Sequence, residues 1–449
     1  MNNAKTPITG IVDANNKTYV FYLNDYSVKF LDTVIASHST STIKPVDGFM
    51  QALSHNNHKL LVYTGQHDFS IVNTMNLSIS SYIVSTSNVL DYDLSFYDGI
   101  VFVGGTLAKL KHPHGMKIEY DEEHGKEYLQ HSDDKQEFTF TAGDLICNVT
   151  IASSTNEHHS HESNSVSNDT VYLKMSFDKP QQTSSVYRHY NKLCEVLSFL
   201  TNRKNVGIEE IFLLQKDVPI EGKKFTQRIA RVFIHQDQDQ TKKQQYYTLE
   251  FECLGNSAGK LFEIFYNTQD RKRSYSLGFY PKSDKYNTTI TNEIVRLVCS
   301  ALECEVSFIK TIKDEEKDKI KELKKEIQPI IDKHKAGPTR LKEKTYSLIE
   351  SSMSHWSSAA ADQFKALYHM YEEEMAIANK FHLAIGDDEI DAFVKYRNDI
   401  THGSYRVLDS TIACTTYLME CLVYCSVLTR IGINRETIKQ WFRDGRLLR

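Results

Sequence analysis

The chain has 449 residues, with 53 Lys and Arg set against 58 Asp and Glu, for a formal charge of -5. Its 40% hydrophobic and 25% charged residues are those of a folded protein of two or three packed units, which excludes wholesale disorder. The charge balance also excludes a globally basic binder, so any nucleic-acid surface has to be a local patch.

The opening residues, MNNAKTPITG, show neither the basic-then-apolar succession of a signal peptide nor a lipid-anchor pattern, so the expected location is the cytoplasm. Over residues 1–180 the chain is written in short runs of Tyr, Phe, Val, Ile and Thr separated by Asn, Asp, Gly and Ser, among them KTYVFYL at 17–23, KLLVYTG at 59–65, DGIVFVGG at 98–105, EFTFTAGDLICNVTIA at 137–152 and DTVYLKMSFD at 169–178. This pattern predicts a β-rich, sandwich-like or barrel-like domain. The polar stretch NEHHSHESNSVSND at 156–169 reads as a solvated loop, and its His158, His159 and His161 are expected to hold no metal. Asp91, Asp93, Asp98 and the His residues between 112 and 131 read as solvated loop groups.

Residues 181–288 change texture. SSVYRHYNKLCEVLSFLTNR places Val186, Tyr190, Leu193, Leu197 and Leu200 on one helical face. Strand-like runs follow at 207–215, 228–236, 244–254 and 274–280, which gives an α+β segment, either separate or a completion of the N-terminal sheet.

Residues 289–449 read as an all-α bundle, so the fold class is α+β multidomain. Within 310–344, twelve Lys or Arg accompany eight Asp or Glu, with Pro329 and Pro338 as interruptions, the composition of a solvated helix pair. Thr411 to Ile431 has the length of a membrane span but carries Glu420 and Arg430, and a buried core helix explains it better, with no membrane partner. The eight Cys form no Cys-x-x-Cys pair and are expected to be reduced, with Cys421 and Cys425 packed on one helix face.

All fifteen Arg lie at or after Arg188, which confines the residue best suited to bidentate phosphate contact to the later part of the chain. The final twenty residues hold six basic and two acidic groups beside Trp441 and Phe442, a pattern that suits either an RNA surface or an exposed terminal helix with an apolar anchor.

Chemistry concentrates in DAFVKYRNDITHGSYR, residues 391–406. Phe393, Val394 and Arg397 fall at i, i+1 and i+4, so the guanidinium lies on or beside the packing face of a helix. A charge that cannot be lost requires a carboxylate, a phosphate or a solvent-filled groove at that place. His402 precedes Gly403, a residue suited to the left-handed turn that ends a helix, so the imidazole sits at a helix terminus, where a dipole-stabilised cap is the alternative role. The bare spacing carries little, because 18 His in 449 residues produce such pairs by chance, and the information lies in the context of Asn398, Gly403 and the flanking helices.

RNDITHG resembles the signature of HEPN domains, an Arg, a polar residue, three residues and a His, in helical bundles that include metal-independent ribonucleases. A strand-rich region leading into such a bundle resembles HEPN proteins of bacterial anti-phage defence. The resemblance implies an endoribonuclease without cofactor or metal, with Arg397 and His402 as the catalytic pair and Asn398 as the supporting polar neighbour. Asp399, Ile400 and Thr401 fall at variable positions, and Tyr405 and Arg406, just beyond the motif, are candidates for substrate binding. It further implies RNA as substrate, tRNA first, and a homodimer that brings two motifs into one cleft. It also implies a regulatory β-rich region that answers a phage-derived trigger. The competing class is a non-catalytic HEPN-like module that binds nucleotide, RNA or a partner protein.

Overall fold

The computed structural model describes residues 7–14, 17–32, 41–65, 67–71, 74–86, 93–110, 116–121, 126–131, 135–160, 163–202, 206–220, 223–236, 249–267, 290–309, 317–338, 340–354, 360–379, 385–404 and 406–447. The chain divides into two compact units, Met1–Asn267 with Lys282–Asp284, and Thr268–Pro281 with Lys285–Arg449. The first is β-rich and the second, as described, is helical.

The first unit is built on one antiparallel sheet of thirteen strands. From one edge the order is Gln136–Ala142, Leu145–Ser160, Ser163–Gln182, Phe96–Val103, Glu210–Ile220, Lys223–Ile234, Ser81–Ser85, Lys59–Tyr63, Phe49–Ser54, Ile8–Ala14, Lys17–Asn24, Ser27–Asp32 and Thr74–Ser78. The two strands 210–220 and 223–234, from the middle segment, thus lie inside the sheet between Phe96–Val103 and Ser81–Ser85 of the N-terminal region. Alternation does the work expected of it: along Lys17–Asn24 the inward positions are Tyr19, Phe21 and Leu23, which pack with Val28, Phe30, Leu60 and Val62.

Among its described residues this unit carries the α-helices α1 (Leu107–Leu110), α2 (Val186–Thr201), α3 (Phe251–Leu254) and α4 (Ala258–Tyr266). All five apolar residues assigned to one face of α2 are buried, each contributing about 1.5–3 kcal/mol on burial. The helix ends at Asn202, whose φ of 50° is left-handed. The edge strand Gln136–Ala142 and the turn after it are hydrogen-bonded to the later segment. The Thr141 N–H donates to Glu263 Oε1 at 3.2 Å, the Gly143 N–H to Asn267 Oδ1 at 3.2 Å, and Gln136 Nε2 to the Phe251 carbonyl at 3.0 Å.

Three local expectations are corrected. The stretch 156–169 is not a loop: its described residues continue a long hairpin in which Asn156 pairs with Ser167, His158 with Ser165 and His159 with Asn164, and His161 lies outside the described residues. Extending an existing ladder satisfies main-chain groups that a polar composition would otherwise leave to water. The strand expected at 244–254 is replaced, over its described residues 251–254, by α3, which buries Phe251 and Leu254 at i,i+3 and stops at Gly255 with φ of 50°. Asp98 lies within the strand Phe96–Val103 rather than a turn, its Oδ2 accepting the Lys216 N–H at 2.8 Å. Asp91 and the run expected at 274–280 lie outside the described residues.

The second unit comprises α5 (Asn292–Val306), α6 (Lys317–Lys335), α7 (Glu343–Ser354), α8 (Ala360–Met370), α9 (Glu372–Ala378), α10 (Asp387–Thr401), α11 (Ser410–Arg430) and α12 (Arg435–Arg443). α11 is the centre, packed against α5, α9, α10 and α12. It is long and apolar enough for a membrane span by length and composition, yet 78% of its apolar window is buried inside the structure, and Cys421 and Cys425 are fully enclosed. Two carboxylates in this core carry their own cations. Glu305 accepts from Ser426 Oγ at 2.8 Å and Arg430 Nη2 at 2.7 Å, and Glu374 receives Arg435 through two bonds of 2.7 and 2.6 Å. α6 and α7 pair over Ile327, Ile331, Tyr346 and Met353. Pro329 does not interrupt α6 but sits inside it, flanked by the two isoleucines whose packing offsets the lost main-chain bond.

Candidate functional site

α10 begins with Asp387, Asp388 and Glu389, acidic groups that suit the positive end of the helix, and Glu389 Oε2 accepts the Gly386 N–H at 2.8 Å. Ile390, Phe393, Tyr396 and Ile400 form its buried face. Arg397 follows Tyr396 and stands one turn after Phe393, at the rim of that face. The helix stops because His402 leaves helical geometry (φ -88°, ψ 11°) and Gly403 turns left-handed at φ 82°, after which the Ser404 N–H closes onto the Asp399 carbonyl at 2.9 Å.

Arg397 has two partners. Its Nη2 donates to Glu303 Oε1 on α5 at 2.5 Å, and its Nη1 donates to Asn398 Oδ1 at 3.0 Å. The Arg397 side chain is 25% exposed and that of Glu303 41%, so the pair sits at the rim of the bundle in reach of water. Asn398 binds in both directions: its amide oxygen holds Arg397, and its main-chain carbonyl accepts the His402 N–H at 3.0 Å. The His402 residue is exposed. Among the described residues no hydrogen bond joins its ring to Arg397, and the two are tied through Asn398.

α5 supplies the opposite wall. Asn292 Oδ1 accepts the Tyr396 hydroxyl at 2.7 Å, Arg296 Nη2 donates to the Ile400 carbonyl, and Glu303 binds Arg397. Between them Cys299 is enclosed. Burial pushes its thiol well above the usual range, the positive charge of Arg397 pulls the other way, and Glu303 adds to the rise. Such a thiol stays protonated and is no nucleophile.

Of the three residues expected to carry the chemistry, Arg397 and Asn398 are in side-chain contact on the last turns of α10, and His402 caps the same helix through its main chain. Arg406 lies beside them with its guanidinium paired to Asp399 at 2.8 Å, and Tyr405 lies outside the described residues. Glu303 and Arg296 were not read from the sequence. Their signal was a polar stripe at 292, 296 and 303 on a helix otherwise rich in Val, Leu, Ala and Cys, spaced so as to face a neighbour. Chemically, the site offers an exposed imidazole and a guanidinium whose remaining donors suit an oxyanion. Among the described residues no three of His, Cys, Asp and Glu converge in a way suited to a metal ion. Comparison with family models, with curated proteins and with solved structures found no match to this chain.

Proposed function

We propose that the helical unit is a HEPN-type endoribonuclease that cleaves RNA without a metal, and that the β-rich unit restrains it until a phage-derived trigger arrives. The sequence pattern, a strand-rich region leading into a helical segment with the RNDITHG motif, resembles the anti-phage defence protein ApeA. The observation that carries this reading is the tie through Asn398, which holds the Arg397 guanidinium with its side chain and the His402 cap with its main chain at one solvent-facing helix end.

RNA carries its own nucleophile, the 2′-OH, beside the phosphate, so a protein need only move protons and neutralise charge. His402 exchanges the proton, worth about 10² to 10⁴ in rate, and Arg397 stabilises the negative charge of the pentacoordinate phosphorus. Departure of the 5′-oxygen leaves a 2′,3′-cyclic phosphate and a 5′-OH end. One imidazole is sparse for two proton transfers, and a two-fold homodimer with facing motifs supplies the second. tRNA is the substrate to test first.

The test is metal-free cleavage of end-labelled RNA by the full chain and by Arg397→Ala and His402→Ala, with melting temperatures measured in parallel. Loss of cleavage in both variants at unchanged melting temperature supports the assignment, and equal activity in all three removes it. A second reading is favoured by Glu303, which already supplies the carboxylate a half-buried Arg requires: a non-catalytic HEPN-like module that binds nucleotide, RNA or a partner protein, with His402 as a structural cap.

A further inference from the structure

Three guanidinium groups are anchored at the C-terminal end of α10, and they differ in how their charge is met. Arg397 is paired with Glu303 at 2.5 Å and Arg406 with Asp399 at 2.8 Å. Arg296, reaching across from α5, donates to the main-chain carbonyl of Ile400 and, among the described residues, is within ion-pair distance of no carboxylate. A carbonyl orients a guanidinium without cancelling its charge. It also lies at the negative end of the α10 dipole, which holds the cation there but screens it only partly. Arg296 is exposed, and one of its five N–H donors is engaged by Ile400, two residues before His402.

Taking the site proposed above as one that accepts a phosphodiester, we infer that Arg296 is a substrate-binding residue that holds a backbone phosphate of single-stranded RNA adjoining the scissile one. A polyanion arriving at this surface meets in Arg296 a cation that, among the described residues, no carboxylate compensates. Arg397 keeps free donors, but Glu303 already meets its charge, so a phosphate engages Arg296 first and the catalytic pair second. Arg296 contributes affinity and register, and is not itself a proton-transfer group.

The test uses the full-length chain and a fluorescein-labelled single-stranded RNA made uncleavable by 2′-O-methyl groups, with anisotropy followed across a series of salt concentrations. Arg296→Gln keeps an amide donor for the Ile400 carbonyl while removing the charge, and Arg296→Lys keeps the charge. Arg296→Gln is expected to weaken binding about 5- to 10-fold at low salt and to lower the slope of log affinity against log salt by about 0.7, one single-strand phosphate contact, whereas Arg296→Lys retains the slope. An Arg296→Gln protein with wild-type affinity and slope overturns the inference, as does a wild-type chain that fails to bind the RNA. Cleavage of unmodified RNA separates the two ideas. Binding that depends on Arg296 in a chain that cuts nothing sinks the ribonuclease reading and leaves this one. Cleavage that depends on Arg397 and His402, with binding indifferent to Arg296, does the reverse.

Discussion

Replacing Glu303 by Gln removes one negative charge from the Arg397 partner and leaves an amide oxygen of the same reach. The bond is short, at 2.5 Å, but the side chains are 25% and 41% exposed, so solvent screening holds its worth to about 0.5–1 kcal/mol. Two consequences carry opposite signs. Folding loses that amount, which for a helical unit of this size lowers its melting temperature by about 2–4 °C per kcal/mol. Under the proposed function RNA binding should gain it, because a phosphate no longer competes with a carboxylate for Arg397, and 1 kcal/mol is about a 5-fold tighter complex. Thermal unfolding and anisotropy with uncleavable RNA measure the two effects, and near 1 M salt, where charges are screened beyond about 3 Å, both differences should shrink. An Glu303→Gln protein that binds RNA more weakly than wild type would refute the reasoning, since the carboxylate would then be helping substrate rather than competing with it.

Burial pushes the His189 imidazole down to about 3, assisted by Arg188, while an unfolded chain protonates it near ~6.5. Below that value the unfolded state binds a proton that the folded state refuses, so stability of the β-rich unit falls with pH by about 1.4 kcal/mol per unit. Urea unfolding between pH 6.5 and 4.5 should be less acid-sensitive in His189→Phe, and identical slopes would remove His189 as the cause. Arg435→Leu strips the fully buried Glu374 of its two-pronged partner and is expected to lower the stability of the helical unit by about 3 kcal/mol, while adding Glu374→Met should restore most of it in thermal melts. Gly403→Ala meets no atom within 4 Å, so only its φ of 82° matters, at about 1–2 kcal/mol. Gly105→Ala, with φ of 66° and a Cβ 2.2 Å from the Gly207 carbonyl, should be far more damaging, and comparable melting temperatures for the two variants would count against that ranking.

What the sequence disclosed and what it hid follow from the range of the interactions. Period-two alternation in KTYVFYL and the spacing of Val186, Tyr190, Leu193, Leu197 and Leu200 are local signals, and both segments fold as those signals direct. The sheet order is not local: Glu210–Ile220 pairs with Phe96–Val103, and Lys223–Ile234 with Ser81–Ser85, across more than a hundred residues of intervening chain. The same distinction divides the candidate site. Arg397, Asn398 and His402 sit within one short motif and were visible together. Glu303 lies 94 residues before Arg397 and Arg296 lies 104 before Ile400, so nothing short of the packed bundle brings them to it.

The geometry of that packing also says what holds the site in shape. Glu303 and Glu305 are two residues apart on α5 and serve different neighbours. Glu303 faces Arg397 at the hydrated rim, and Glu305 is fully buried against Ser426 and Arg430 of α11. Arg430 in turn lies over the Phe308 ring at 4.1 Å, just past the end of α5. One turn of α5 is thus fixed from the core side by an ion pair that cannot dissociate without stranding a buried charge, while its other side presents the carboxylate that aims Arg397. Glu303 is thereby held in place before any ligand arrives, so it keeps Arg397 oriented toward the rim, the preorganisation that the proposed phosphate contact requires.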